Sequence, residues 1–92
     1  MQVDWAPEAR RDLQSIHEFL RRDNPDAAES LVTVIDEAAR GLAAFPLKGH
    51  KGLDGTREWV IPRFRHYLLI YDVETRAGIV TILRVWHQSR HR

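Results

Sequence analysis

A chain of 92 residues with 43% hydrophobic and 29% charged side chains has the length of one domain and the composition of an ordinary globule, which excludes disorder as its resting state. It contains no cysteine, so disulfides, thiolate metal sites and a cysteine nucleophile are excluded and a reducing compartment is expected. The net charge of +1 hides a division: residues 1–46 hold five Lys/Arg against nine Asp/Glu, while residues 47–92 hold nine against four. Either these charges are scattered in solvent or the second half presents a basic face to an anionic partner.

The first residues pattern as an outer strand, with Val3 and Trp5 on one side of an extended segment. Pro7 has the fixed φ and missing amide of a first helical position, and Ala9, Leu13, Ile16 and Leu20 follow at helical spacing. Asp23-Asn24-Pro25 ends that helix and starts the next, with Asn24 as N-cap and Pro25 at the first helical position. Ala28, Leu31, Ile35, Ala38 and Leu42 continue as a regular apolar stripe up to Phe45, and Pro46 stops it. Two antiparallel helices are expected.

Residues 47–56 carry Gly49, Gly52 and Gly55 among polar residues, which predicts a loop; it lacks the Gly-Lys-Ser/Thr ending of a phosphate-binding loop. From Arg57 the period becomes two. Arg57–Ile61, Tyr67–Val73 and Ile79–Trp86 read as strands, the last two joined by a hairpin at 74–78. Val80, Ile82 and Trp86 are expected on one side of the final strand. The order is β-α-α-β-β-β, an α+β domain with a helical hairpin packed on an antiparallel sheet and a partial cover on its other face. The longest apolar run, Leu68–Tyr71, is far too short to span a membrane, and Met1 leads into the first strand with no signal-peptide layout, so a cytoplasmic protein is expected.

The string His66-Tyr67-Leu68-Leu69-Ile70-Tyr71-Asp72-Val73, with Val80-Thr81-Ile82-Leu83-Arg84-Val85-Trp86-His87 after the turn, is similar to the final hairpin of the RelE/ParE toxins. An opening Val-x-Trp, the helix residues Ala9, Asp12, Leu13 and Ile16, then Asn24-Pro25-x-Ala27-Ala28, Phe45-Pro46, Gly49, Gly52 and Gly55-Thr56-Arg57-Glu58 resemble the rest of that family in order. The resemblance covers nearly the whole chain, residues 1–92 as one toxin domain. It implies the toxin of a type II toxin–antitoxin pair, held inactive by a cognate antitoxin, with no cofactor and no metal. Two targets divide the family: RelE-like members cut messenger RNA on the ribosome, and ParE-like members inhibit DNA gyrase.

Metal-free RNA cleavage needs a base, an acid and cations for the crowded phosphate. In the RelE-like pattern an arginine follows the tyrosine that begins the penultimate strand and a basic residue lies just past the last one; here Leu68 and Gln88 stand there. His87, which coincides with a catalytic histidine of some ribosome-dependent members, with Arg84 and Tyr67 beside it, carries the nuclease alternative. The ParE-like alternative rests on surface recognition by Arg57, Arg63, Arg65, Arg84 and Arg90. For each of these arginines the competing reading is a solvated side chain. An antitoxin is expected either beside the two helices or on a free sheet edge.

Overall fold

A computed structural model describes residues 1–89 of the chain. The order of elements is β1 (Gln2–Trp5), α1 (Pro7–Asp23), α2 (Pro25–Ala44), β2 (His50–Lys51), a 3₁₀ turn (Leu53–Gly55), β3 (Arg57–Val60), β4 (Tyr67–Glu74) and β5 (Ile79–His87). This is the sequence-derived order with one short strand added inside the glycine-containing segment. There, His50 and Lys51 pair with Glu58 and Arg57.

Asn24 explains how two helices meet in so few residues. Its backbone N–H donates to the Leu20 carbonyl at 2.9 Å and closes α1, while its side-chain oxygen accepts from the Ala27 N–H at 3.1 Å and opens α2. One residue therefore satisfies orphan groups of both helix ends. Asn24→Ala is expected to cost about 1 kcal/mol in urea unfolding, whereas Asn24→Asp, which keeps the accepting oxygen, should stay within about 0.5 kcal/mol of the parent. Equal stability of all three proteins would show that the cap contributes nothing.

The five strands form one sheet in the order β1-β5-β4-β3-β2. The β2–β3, β3–β4 and β4–β5 pairs are antiparallel, but β1 runs parallel to β5, with Val3 beside Val80 and Trp5 beside Ile82. The sheet is thus mixed, which corrects the fully antiparallel expectation. The chain passes from β1 directly into α1 and returns to this edge only at its end, so no hairpin turn forces the first strand to run antiparallel to its neighbour. As expected, Val3 and Trp5 pack on the core while Gln2 and Asp4 face outward.

The core lies between the helix pair and one sheet face. Ala9 of α1, Leu31, Ile35, Ala39 and Leu42 of α2, and Leu69, Tyr71, Val80, Ile82 and Val85 of the sheet belong to one buried cluster. A β-bulge sets the outer part of that face. Ile70 pairs with Arg84 while Tyr71 pairs with Ile82, which leaves Leu83 as an extra residue in β5. The insertion reverses the alternation beyond it. Val85 and His87 join Val80 and Ile82 on the helix side, and Trp86 falls with Leu68 on the opposite side. The expectation that Trp86 shares the face of Val80 and Ile82 is therefore corrected.

On that opposite side the register places Val60 and Trp86 beside Leu68, and Glu58 and Arg84 beside Ile70. Leu68 is only 1% exposed and Ile70 is buried as well. Both helices contact the other face, through Asp12 and the apolar stripe residues of the core cluster.

Candidate functional site

The last rung of the β4–β5 ladder pairs Tyr67 with His87. Residues directly opposite each other project to the same side of a sheet, and their rings meet edge to face with centroids 5.0 Å apart. The His66 ring lies parallel to that of His87, 5.6 Å away with 5° between the planes. Beyond β5 the chain is stitched back to the start of β4. The Gln88 N–H donates to the His66 carbonyl at 2.7 Å, and its side-chain amide donates to the Arg65 carbonyl at 2.7 Å.

Ser89 fixes the inner edge of His87. Its backbone N–H points at Nδ1 at 3.3 Å and its hydroxyl lies 2.9 Å from the same atom. With Nδ1 accepting from an amide, the neutral ring carries its proton on Nε2. Imidazole is the side chain suited to proton exchange near neutral pH, which is the chemistry an acid or base role at this position would need.

Between α1 and this end of the sheet is a cleft of about 300 Å³, lined by Asp12, Ser15, Ile16 and Phe19 on the helix and by Tyr67, Val85 and His87 on the sheet. Sequence reasoning singled out Tyr67 and His87 but left Asp12, Ser15, Phe19, His66 and Gln88 unassigned. Two of these left a trace in the pattern. Asp12 stands three residues after Ala9 and four before Ile16, a carboxylate at the side of the apolar stripe, and Phe19 is a large apolar residue lying off the stripe of Ala9, Leu13, Ile16 and Leu20.

Asp12 organises the cleft's inner end. β1 covers the edge of β5 only as far as Ile82, so the next part of that edge needs another partner. The Asp12 carboxylate accepts from the Val85 N–H at 3.0 Å and takes the Arg84 guanidinium in two hydrogen bonds, from Nε at 2.7 Å and Nη2 at 3.0 Å. The hydrogen bond to Asp12 raises the Arg84 pKa above its ordinary value, against an opposing effect of burial. Arg84 also lies over the Trp86 ring, 5.5 Å from its centroid. Its planar fork is thus committed through Nε and Nη2 to an internal carboxylate.

Among the described residues, no other candidate arginine directs a guanidinium hydrogen bond to His87. Arg57 turns inward and donates from Nη2 to the carbonyls of Leu47 at 3.0 Å and Gly49 at 2.7 Å; its Nε is buried without a hydrogen-bond partner. Arg63 adopts left-handed backbone, with φ of 74°, and borders a groove with Glu37, Lys48 and Trp59 between α2 and β3. Arg65 is exposed at the turn before β4, and it alone of the described arginine candidates is joined to the His87 end, through its carbonyl. Arg90 lies outside the described residues. Among the described residues no group of three His, Asp or Glu side chains could hold a metal, and no helix is long and apolar enough to cross a membrane.

A helical hairpin on a mixed sheet is the scaffold of a class of small toxins, and three likenesses place this chain beside it. A chain of the chromosomal ParDE TA system from P. aeruginosa has the same fold, with a TM-score of 0.80 at 23% identity over 95% of each chain. A chain of the toxin–antitoxin complex RelBE2 from Mycobacterium tuberculosis is 30% identical with a TM-score of 0.64, over 94% of this chain and 95% of that one. Toxin RelE2 of Caulobacter vibrioides is 32% identical over 89 residues, 97% of each protein. Residues 3–92 match the family model described as the ParE toxin of the type II toxin–antitoxin system parDE, and the chain belongs to that family.

Proposed function

We propose that this toxin acts by surface recognition of DNA gyrase and is neutralised by a cognate antitoxin. The observation that carries the reading is where its cations go. A metal-free nuclease must place positive charge on the phosphate as charge builds in the transition state. Here Arg84 is bound by Asp12, Arg57 by loop carbonyls, Leu68 is an apolar residue buried on the other sheet face, and Gln88 stitches the strand ends. Membership of the ParE family supports the same target, and the neighbours solved as a ParDE TA system and a RelBE2 toxin–antitoxin complex support an antitoxin partner.

The pairing of His87 with Tyr67, together with the likeness to toxin RelE2, supports a second reading, ribosome-dependent cleavage of messenger RNA. The two separate in one experiment. Induction of the toxin in a bacterial host, with purified gyrase and purified ribosomes assayed in parallel, is expected to give filamentation and loss of supercoiling activity with messages left whole. His87→Ala should then leave gyrase inhibition within about twofold, whereas a proton-transfer role in RNA cleavage would cost about 10² or more in rate. Prompt translation arrest with cut transcripts, and no effect on gyrase, would reverse the assignment.

A further inference from the structure

Positive φ falls on four of the described residues: Gly55 at 80°, Gly78 at 69°, Asp54 at 55° and Arg63 at 74°. Glycine meets that conformation without a Cβ clash, and aspartate is one of the short polar residues that visit it. Arg63 has neither advantage. Its turn accounts for the geometry but not for the residue. The Phe64 N–H donates to the Ile61 carbonyl at 3.3 Å, so residues 61–64 form a β-turn with Pro62 second and Arg63 third. Proline followed by a positive φ is the pattern of a type II turn, whose third position favours glycine or asparagine.

The rest of the loop is firmly held. A second β-turn follows at once, closed by the Tyr67 N–H on the Phe64 carbonyl at 2.9 Å, and the Ile61 N–H donates to the Tyr67 carbonyl at 2.9 Å across the base. Ile61 is fully buried, and Phe64 packs against the core cluster. Gln88 holds the Arg65 and His66 carbonyls. All these anchors are main-chain groups or apolar side chains, whereas Arg63 and Arg65 are exposed. Neither guanidinium makes a hydrogen bond or ion pair among the described residues. Glu29 and Glu37 of α2 border the same grooves as Arg63 without pairing with it. A strained backbone that its surroundings over-determine, carrying a side chain with no bonded partner in the fold, indicates a residue kept for function.

We infer that the loop of residues 62–66 is the toxin's recognition element, with Arg63 and Arg65 presenting their guanidinium forks to carboxylates on the surface of gyrase. This rests on the gyrase reading above and gives it a location. The planar fork matches a carboxylate in two parallel hydrogen bonds, and a loop already fixed by its main chain loses little freedom on binding. Duplex DNA is a poorer match. Its affinity comes from many cations spread along the backbone, whereas Arg57 and Arg84 are bound inside the fold and Glu29 and Glu37 beside Arg63 would repel a run of phosphates. Unstacked bases would need a ring to lie on, and the loop's one large ring, Phe64, is packed on the core.

The test pairs thermal unfolding of the full chain with a gyrase supercoiling assay. Arg63→Gly is expected to raise the thermal midpoint by about 3–6 °C, because relief of the strained φ exceeds the extra freedom that glycine gives the unfolded chain. The same variant should raise the half-inhibitory concentration at least about tenfold, the scale of losing one interface arginine. Arg65→Ala should leave the midpoint within about 2 °C of the parent and weaken inhibition about fivefold or more. A protein that gains stability as it loses inhibition cannot be explained by damage to the fold. If the parent inhibits gyrase and both variants match it within about twofold, the loop assignment is overturned and the gyrase reading stands. A parent that leaves gyrase untouched overturns both. A midpoint for Arg63→Gly several degrees below the parent's would mean that the arginine serves the fold through Glu29 or Glu37, and the recognition role falls. If both variants instead lose binding to a fluorescent DNA duplex in the absence of gyrase, phosphates are the ligand and the carboxylate assignment is overturned.

Discussion

Asp12→Ala will lower the unfolding free energy by about 2–4 kcal/mol and the thermal midpoint by about 10–20 °C. The carboxylate is 15% exposed and its partner Arg84 38%, so the pair sits at the margin between core and solvent and its loss is discounted below that of a fully buried ion pair. Three hydrogen bonds disappear together: two from Arg84 and one from the Val85 N–H. The backbone group is the harder loss, because Val85 is 1% exposed and its N–H lies where β1 no longer covers the edge of β5. In a domain of this size, whose total stability is on the order of 5–14 kcal/mol, such a change removes a large fraction of the whole.

The charge component can be separated from the backbone component. Arg84→Met in the Asp12→Ala background removes the guanidinium that would otherwise stay beside α1 without its partner, so the double variant should be less destabilised than the sum of the two singles. Asp12→Asn keeps an oxygen that can accept from Val85, and about half of the alanine penalty is expected. Urea unfolding of the parent and the four variants, Asp12→Ala, Arg84→Met, their combination and Asp12→Asn, measures all of this. An alanine variant within about 0.5 kcal/mol of the parent would falsify the view that Asp12 joins α1 to the sheet edge.

Asp12 also marks the boundary of what the one-dimensional pattern could reveal. The helices were legible because their signals are local. Pro7, Asn24-Pro25 and Pro46 punctuate them, and the stripes from Ala9 to Leu20 and from Ala28 to Leu42 repeat at helical spacing. The three long strands were legible from alternation and β-branched content. The parallel β1–β5 pair was not, because strand direction depends on where the chain goes between the two partners, and nothing in Gln2–Trp5 encodes it. Trp86 was misplaced for a related reason. A single extra residue at Leu83 reverses the face of every later position, and a bulge without a glycine leaves no mark in the pattern.

At the candidate site the same distinction holds. Tyr67 and His87 stand out through the resemblance of the final hairpin to the RelE/ParE toxins, a likeness of contiguous sequence. The arginines were counted correctly as a basic excess, but their use was decided by tertiary partners. Arg57 and Arg84 look alike in sequence to Arg65, yet the first two spend their donors on a loop and on α1. Charge content therefore measured the supply of cations, and only the packing of α1 against β5 and of the 46–49 segment against β3 determined which stay available to a partner.

Tyr71 shows how that second segment is held, and it carries the other large stability effect. It is fully buried; its hydroxyl donates to the Pro46 carbonyl at 2.6 Å and accepts from the Gly49 N–H at 3.1 Å. Gly49 allows the approach. A Cβ there would lie 2.6 Å from the Glu58 carbonyl and 2.6 Å from the Tyr71 hydroxyl. Backbone cannot yield as a flexible side chain would, so Gly49→Ala is expected to cost about 2–3 kcal/mol. Tyr71→Phe keeps the ring in the core but leaves a buried N–H and carbonyl unpaired, for about 1–3 kcal/mol. The two changes should not add. Phenylalanine removes one of the three atoms that the new methyl meets most closely, so the double variant is expected to fall about 1 kcal/mol short of the summed single costs, while the contacts with the Glu58 carbonyl and the ring Cε1 persist. Strict additivity in guanidinium unfolding would mean that the hydroxyl and Gly49 do not share one space, and the loop that feeds Arg57 its carbonyl partners would need another anchor.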